Sequence, residues 1–193
     1  MRIIAGERRG MKLLSPKTSD TRPITDRVKE ALFNVIQNYG SLNGKYVADL
    51  FCGTGSLGLE ALSRGAKMVF FIDRDSDVIA SLKKNIEKAG FTNRSEVIQA
   101  DAFGIRAPTT DLERKYDIIF IDPPYIHTQD TRRESSLGKL LARLSELIRR
   151  NGVVVVRTRR STVLAESYHG LKTLDRREWG TMAITILGYG NDE

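Results

Sequence analysis

The sequence predicts an α/β fold in which helices cover both faces of a mainly parallel β-sheet. Strand-like apolar runs alternate with helix-like segments from residue 46 onward. Four of those runs end at or near an aspartate, and residues 171–188 have the pattern of an antiparallel hairpin. We therefore expect seven strands, mostly parallel, in one domain over residues 21–193, preceded by a β-hairpin extension over residues 1–20.

Positive charge is concentrated near the start of the chain. The net charge is +7, and residues 1–29 hold eight basic and three acidic side chains. A local basic patch is typical of a protein that binds nucleic acid, although an ordinary solvated charged face is the alternative. The single cysteine, Cys52, excludes a disulfide framework. No apolar run is long enough for a signal peptide or a membrane span, so we expect a cytoplasmic protein.

Residues 2–14, called the N-terminal hairpin below, contain two short apolar runs separated by a basic turn with a glycine at each end. This pattern predicts a β-hairpin. Basic side chains at the tip of a hairpin are well placed to meet phosphate groups. Arg8, Arg9 and Lys12 are therefore candidate nucleic-acid contacts.

A helix is expected next, from Thr25 or Asp26 to about Tyr39. Either residue can act as the N-cap, and apolar side chains recur at helical spacing beyond it. Arg22 and Arg27 stand on either side of this cap, where they could bind a phosphate or a carboxylate. Helix capping and surface charge explain the same residues equally well.

The chain is organised around a strand, a tight turn and a helix over residues 47–64. Gly53 and Gly55 allow the backbone to turn sharply and to approach a ligand closely. The helix that follows directs free N–H groups towards that ligand. Residues 53–58 fit the pattern G-x-G-x-x-G, which occurs in nicotinamide and flavin enzymes, in methyltransferases and in plain strand–helix turns.

Four aspartates close four successive strands of the predicted sheet: Asp49, Asp73, Asp101 and Asp122. One such acid is usually a loop cap, but four at the carboxyl edge of a sheet favour a ligand site. Asp49 would repel a pyrophosphate and suits an ammonium or sulfonium group. Carboxylates also accept hydrogen bonds from hydroxyls and from an exocyclic amine. S-adenosylmethionine offers all of these groups.

The motif Asp122-Pro123-Pro124-Tyr125 follows the fourth of these strands. Its two prolines stiffen the turn, so the Asp122 carboxylate and the Pro123 carbonyl are acceptors with little freedom to move. Tyr125 adds a flat face on which a ring can stack. Together they suit a planar base with an exocyclic amine, whereas a Pro-Pro turn with a surface tyrosine is the alternative.

This motif resembles the [DNS]-P-P-[YFW] motif of amino-methyltransferases. The chain resembles the RsmD family over nearly its full length, on the motifs R-I-I-A-G, R-P-I-T-D-R-V-K-E, D-L-F-C-G-T-G-S-L-G-L-E-A and D-P-P-Y. The resemblance implies a Rossmann-like class I methyltransferase that acts on guanine N2 of 16S ribosomal RNA. It also implies a substrate presented in an assembled ribosomal particle and a monomeric enzyme that needs no metal.

The resemblance, read together with the strand-end acids, assigns three sets of residues. The expected catalytic residues are Asp122, Pro123, Pro124 and Tyr125. The expected cofactor contacts are Asp49, Phe51, Gly53, Gly55, Asp73, Arg74, Asp101, Ala102, Arg22 and Thr25. The expected RNA contacts are Arg8, Arg9, Lys12, Arg22 and Arg27.

One stretch departs from the family pattern, and other function classes stay open. Members of the family often carry an acid after the strand at 153–156, where this chain has Arg157-Thr158-Arg159-Arg160, whose added charge could meet RNA. A methyltransferase of another RNA or DNA base, an NAD-dependent oxidoreductase and a binding protein with a decayed site are the alternatives. The two histidines have no ligand-like spacing.

Overall fold

The computed structural model describes residues 1–15, 24–104 and 115–190, and within them one sheet of eight strands runs through the molecule. The strands lie in the order β3-β2-β1-β4-β5-β8-β7-β6. Their bounds are β1 Tyr46–Leu50, β2 Met68–Asp73, β3 Ser95–Gln99, β4 Tyr116–Ile121, β5 Ile148–Arg159, β6 Ser167–Tyr168, β7 Leu171–Trp179 and β8 Met182–Gly188. The first five strands are mutually parallel, and β8, β7 and β6 continue the sheet in antiparallel pairs.

The predicted α/β fold, with its parallel sheet and antiparallel C-terminal hairpin, is confirmed. The eighth strand, β6, comprises only two residues that pair with β7, which is too short to leave a recognisable pattern in the sequence. Strand β5 starts at Ile148 rather than near residue 153, because Ile148 pairs with Tyr116 of β4. The helix that precedes β5 ends at Ser145.

Four α-helices are α1 Asp26–Ile36, α2 Ser56–Ser63, α3 Ser76–Ala89 and α4 Ser136–Ser145. Side-chain caps define three of their starts, because the side chains of Thr25, Asp75 and Ser135 each accept a hydrogen bond from the first turn. The final turn expected for α1 is instead a 3₁₀ turn over Gln37–Tyr39. The helices bury apolar side chains against both faces of the sheet, which gives two core clusters.

The N-terminal hairpin packs against α2 and α3 and supplies Ile3 and Leu13 to one of these cores. Its strands meet at a single bridge between Arg2 and Lys12, so it is a turn with little regular pairing. The backbone N–H groups of Ile4 and Ala5 donate to the Glu60 carboxylate over 2.7 and 3.0 Å. The hairpin is therefore held by the body of the domain.

A buried ion cluster, called the anchoring cluster below, consists of Lys29, Glu60 and Arg64. The Lys29 Nζ atom lies 3.7 Å from Glu60 Oε2 and donates to the Arg2 carbonyl over 2.6 Å. Arg64 Nε donates to Glu60 Oε1 over 2.8 Å. Burial lowers the pKa of Lys29, and the Glu60 charge opposes that change. Buried charges of this kind are stable only when each is paired.

The order in which the chain adds strands to the sheet reverses between β1 and β4, and this position determines where ligands can bind. The chain winds from β1 through β2 to β3 on one side, and then crosses to β4 and β5 on the other. In open α/β sheets the crossover leaves a crevice at the carboxyl ends of the two central strands. Asp49 lies near the carboxyl end of β1, and Asp122 directly follows β4.

Candidate active site

A cleft of about 1440 Å³ opens over the carboxyl ends of the central strands. The four strand-end aspartates all line it, so residues far apart in the sequence meet at one edge of the sheet. The expected site residues that line it are Asp49, Phe51, Gly53, Asp73, Arg74, Asp101, Ala102, Asp122, Pro123, Pro124 and Tyr125. The sequence pattern therefore located the cleft.

Three residues of the tight turn have positive φ angles: Phe51 at 58°, Gly53 at 56° and Gly55 at 83°. Glycine adopts this conformation without a steric penalty, whereas Phe51 is a departure for a non-glycine residue. A Cβ on Gly55 would lie 2.4 Å from Leu82 Cδ1, so this glycine permits α2 to start close against α3. Gly55 is not among the residues that line the cleft, and its role in the structure is packing.

Asp49 joins the first strand to the helix after the turn. Its carboxylate accepts the Gly58 N–H over 2.8 Å, and only 1% of the residue is exposed. Burial raises the pKa of Asp49 well above its ordinary value; the Gly58 N–H opposes this change, whereas the Asp122 and Asp73 carboxylates add to it. Three carboxyl groups thus crowd this edge of the cleft, and a cationic ligand group would stabilise their ionised forms.

Asp73 and Asp101 are oriented by short backbone contacts. Asp73 accepts the Gly53 N–H over 2.9 Å and the Asp75 N–H over 3.1 Å. Asp101 accepts the Phe103 N–H over 3.0 Å and remains exposed. Both carboxylates retain oxygen lone pairs for a ligand, because each carboxylate offers about four acceptor positions.

An aromatic group that the sequence did not reveal stands beside these acids. The ring centroids of Phe51 and Phe103 lie 4.8 Å apart, and those of Phe103 and His127 lie 5.0 Å apart. All three side chains line the cleft. They come from three separate segments, so no local pattern could have predicted that they meet. They provide an apolar surface for a flat ring.

The Asp-Pro-Pro-Tyr motif forms a well-supported turn at the end of β4. The Asp122 N–H donates to the Leu50 carbonyl over 3.3 Å, which ties the motif to β1. Tyr125 begins a short 3₁₀ turn, and the buried Thr128 hydroxyl donates to its carbonyl over 3.0 Å. The motif therefore presents Asp122 and Tyr125 at the cleft on a braced backbone.

Arg157 is buried beside Asp122 instead of lying on the surface. The residue is 8% exposed, and its Nε atom lies 2.6 Å from Asp122 Oδ1. Burial raises the pKa of Asp122, while the charge of Arg157 and its hydrogen bond oppose that change. Arg159 lies over the Tyr125 ring, with its guanidinium carbon 5.3 Å from the ring centroid.

The basic residues expected to contact RNA differ in their availability. Arg8 Nε donates to the Ala89 carbonyl at the end of α3 over 2.5 Å, so this side chain has a structural contact. Arg9, Lys12 and Arg27 are exposed. Exposed side chains could reach a polyanion without giving up a contact within the protein.

Thr25 is, besides Gly55, an expected cofactor contact that does not line the cleft. It caps α1, accepting the Val28 N–H over 3.3 Å. Arg22, which was also an expected RNA contact, lies outside the described residues. Among the residues that the structure describes, no group of histidine, cysteine or acidic side chains is arranged to hold a metal ion.

A family model described as "Conserved hypothetical protein 95" matches residues 1–188. The chain belongs to this family. A Bacillus subtilis protein named "Putative rRNA methyltransferase YlbH" is 34% identical over 188 residues, which cover 96% of this chain and 97% of that protein. The "Ribosomal RNA small subunit methyltransferase D" of Haemophilus influenzae is 40% identical over 127 residues, which cover 65% of this chain and 64% of that protein. The resemblance to the RsmD family is confirmed.

Solved structures of family relatives have the same architecture. The Escherichia coli structure titled "Putative methyltransferase yhhF" superposes with a TM-score of 0.79 at 28% identity, covering 97% of this chain and 96% of that one. The Haemophilus influenzae structure titled "putative methylase HI0767" gives a TM-score of 0.73 at 30% identity, covering 98% of both chains. The Rossmann-like methyltransferase fold of this chain is thereby established. In the described part of the chain, no helix combines the length and apolarity needed to cross a bilayer.

Proposed function

We propose that this RsmD-family chain transfers a methyl group from S-adenosylmethionine to the exocyclic N2 of a guanine in small-subunit ribosomal RNA. The observation that carries the proposal is the placement of the Asp122–Tyr125 motif beside a cleft bordered by three further aspartates. The names of the relatives support methyl transfer to ribosomal RNA. The choice of guanine N2 rests on the family resemblance.

The cleft offers a specific group for each part of the methyl donor. Asp49 would bind the methionine amino group, Asp73 the ribose hydroxyls and Asp101 the adenine amine. Phe51 and Phe103 would cover the adenine ring, and Gly53, Arg74 and Ala102 would complete the lining. The crowding of Asp49, Asp73 and Asp122 at this edge favours a cationic donor over a dinucleotide pyrophosphate, so an NAD-dependent activity loses support.

Asp122 and the Pro123 carbonyl would act on the target amine. S-adenosylmethionine, when bound, supplies an electrophilic methyl group on a sulfonium. The lone pair of guanine N2 is delocalised into the ring, so the amine is a poor nucleophile. Acceptors at Asp122 and Pro123 would bind its two N–H groups, localise that lone pair and stabilise the positive charge that develops on nitrogen as the N–C bond forms and the C–S bond breaks. The thioether would then leave, and the methylated nitrogen would lose one proton. Tyr125 would stack on the base and align it.

The exposed basic residues would contact the phosphate backbone of the RNA. Arg9, Lys12 and Arg27 are available on the surface, and Arg159 stands directly beside the proposed base site. We expect the substrate to be an assembled small-subunit particle in the cytoplasm, and the enzyme to act as a monomer without a metal. The N-terminal hairpin extension over residues 1–20 would enlarge the RNA surface of the methyltransferase domain over residues 21–193.

Methyl transfer to undermethylated small-subunit particles tests the proposal. Tritium from labelled S-adenosylmethionine should enter the ribosomal RNA and be recovered as N2-methylguanosine after nucleoside analysis. Protein-free ribosomal RNA, assayed in parallel, should accept less label than the particle. Label in another nucleoside would refute the guanine assignment, and an absence of label from both substrates would refute ribosomal RNA as the target.

A further inference from the structure

We propose that Arg157 is a positioning residue for methyl transfer, which holds the Asp122 carboxylate in the orientation that accepts the target amine. The inference rests on the proposed function. It assigns a role to an arginine of β5, the strand that pairs with β4, in supporting the Asp-Pro-Pro-Tyr motif that follows β4.

The pairing of two strands brings Arg157 to this place. Ile121 at the end of β4 pairs in parallel with Val156 of β5, so the next residues on the two strands, Asp122 and Arg157, lie side by side at the carboxyl edge. On its other side, Arg157 pairs with Ile184 of β8. The arginine is thus fixed by strands on both sides, and it delivers Nε to within 2.6 Å of Asp122 Oδ1.

The Arg157–Asp122 pair is largely shielded from solvent, and its aspartate faces the cleft. The Arg157 side chain is 10% exposed, whereas the Asp122 side chain is 21% exposed and lines the cleft. Oδ1 of Asp122 is the buried oxygen of the carboxylate. A cation that holds Oδ1 leaves Oδ2 as the acceptor for a ligand N–H.

Arg157 also compensates the charge of this crowded edge. Asp49 from β1 and Asp73 from β2 add negative charge to the same cleft, and Tyr125 follows on the motif itself. A carboxyl group that took up a proton would present an O–H donor to the amine, which needs an acceptor. Arg157 opposes protonation of Asp122, and so favours the ionised form in which Oδ2 accepts the amine N–H.

A matched control exists at the opposite end of the same two strands. Arg149 of β5 has its Nε atom 3.6 Å from Asp117 Oδ1 of β4, so it repeats the arginine–aspartate contact away from the cleft. Arg149→Gln should lower stability slightly and leave methyl transfer unchanged. A comparison of Arg157→Gln with Arg149→Gln therefore separates an effect on the site from a general effect on β4–β5 pairing.

Single-turnover methyl transfer at saturating donor and RNA provides the first test. Arg157→Gln should slow transfer by about tenfold to a hundredfold, the range typical of residues that orient a reacting group. In an Asp122→Asn background the same change should cost less than about threefold, because residues that act as a unit have non-additive effects. Equal losses in both backgrounds would overturn the proposal and assign Arg157 an independent role.

The titration of Asp122 provides a second test that needs no activity. Carboxyl ¹³C resonances followed by NMR should show the Asp122 pKa higher in Arg157→Gln than in the parent protein, by about 1–3 pH units. Arg149→Gln should leave it unchanged. If Arg157→Gln does not fold, Arg157→Lys provides the comparison: it keeps the charge but loses the planar fork, so transfer should fall while the pKa changes little.

These two measurements keep the inference separate from the proposed function. A parent protein that methylates no ribosomal RNA would refute the proposed function, and the titration would still test the link between Arg157 and Asp122. An Asp122 pKa that is the same with arginine and with glutamine at position 157 would overturn the positioning role, whether or not the protein methylates RNA.

Discussion

Glu60 in the anchoring cluster and Asp122 at the cleft are both carboxylates with a cationic partner, but they differ in how completely the protein fills their acceptor positions. Glu60 is fully buried, and its two oxygens together accept the Ile4 and Ala5 N–H groups and the Arg64 side chain, with Lys29 alongside. Asp122 is held on Oδ1 by Arg157 and remains 21% exposed towards the cleft. A carboxylate whose acceptor positions are filled stabilises the fold, whereas one with an open oxygen can serve a ligand.

Glu60→Gln should have the largest effect on stability. It removes the negative charge from a cluster that contains two cations. The NH₂ group of the glutamine would also face donors that now point at a carboxylate oxygen. We expect the free energy of unfolding to fall by about 3–5 kcal/mol. Urea unfolding followed by circular dichroism measures this change. The exposed Glu87→Gln is the matched control and should shift the midpoint very little; equal effects of the two variants would contradict the anchoring role.

Asp122→Ala should show a different pattern, with its largest effect on activity. Stability should fall as well, because the buried Arg157 guanidinium loses the carboxylate beside it. Transfer in single turnovers should slow by roughly 10²–10³-fold, as for the loss of one preorganised group that stabilises developing charge. Donor and RNA binding should change little. Tyr125→Ala should also be impaired, and Tyr125→Phe much less, if stacking matters more than the hydroxyl. Near-normal transfer by Asp122→Ala would leave the Pro123 carbonyl and alignment as the catalytic contributions.

Asp73→Ala tests a carboxylate that both stabilises the fold and faces the ligand site, because Asp73 accepts the Gly53 N–H and also lines the cleft. Donor affinity should weaken by about 1–3 kcal/mol, the cost of losing a hydrogen bond to a charged group. Isothermal titration calorimetry with S-adenosylmethionine measures it. Asp77→Ala, an exposed residue at the cleft rim, serves as control. Unchanged affinity in Asp73→Ala would remove this residue from the binding site.

Asp49→Asn should make the ligand-free protein more stable at neutral pH. The folded-state pKa of Asp49 is raised above its unfolded value. The contribution of the protonated Asp49 to the free energy of unfolding is therefore fully present below the unfolded pKa, and it is lost as pH rises through the folded pKa. Asparagine can still accept the Gly58 N–H and has no charge to bury. The advantage over the parent protein should disappear in acid, as thermal unfolding across pH would reveal. A constant difference at all pH values would contradict the assigned cause.

Arg9→Glu should give the smallest effect, confined to RNA binding. Its exposed side chain could neutralise a phosphate, so the slope of log affinity against log salt concentration should fall by about one or two. Arg8→Ala should instead lower stability, because Arg8 donates to the Ala89 carbonyl. Filter binding to ribosomal RNA over a salt series distinguishes the two. An unchanged slope in Arg9→Glu would place the RNA elsewhere.

The sequence predicted what is periodic or local, and it missed what depends on pairing across the sheet. Strand ends at Asp73 and Asp122 were predicted because apolar runs stop where a strand leaves the core. The early start of β5 depends on Ile148 pairing with Tyr116, and no local pattern carries that register. The positions of the four strand-end aspartates at the cleft could therefore be predicted, whereas the side chains and backbone groups that contact them could not.

Arg157 shows this limit most clearly. In the sequence it belongs to a run of basic residues, which indicates a charged surface, yet it is buried against Asp122, which lies 35 positions earlier in the chain. The aromatic contact between Phe51 and Phe103 likewise joins distant segments. Side chains that orient a site are often supplied by neighbouring strands, so a motif predicts the reacting groups better than it predicts their supports.

The docking of the N-terminal hairpin on α2 and α3 has a consequence for biosynthesis. Ile3 and Leu13 are made before the groups that hold the hairpin. The carboxylate that binds Ile4 and Ala5 comes 56 and 55 residues later, and the carbonyl that binds Arg8 comes 81 residues later. Contacts so distant in the chain form slowly, because a long loop must close first. The emerging chain must therefore carry this apolar segment undocked until α3 has left the exit tunnel. The hairpin residues are translated before their partners, so their folding waits for later parts of the chain.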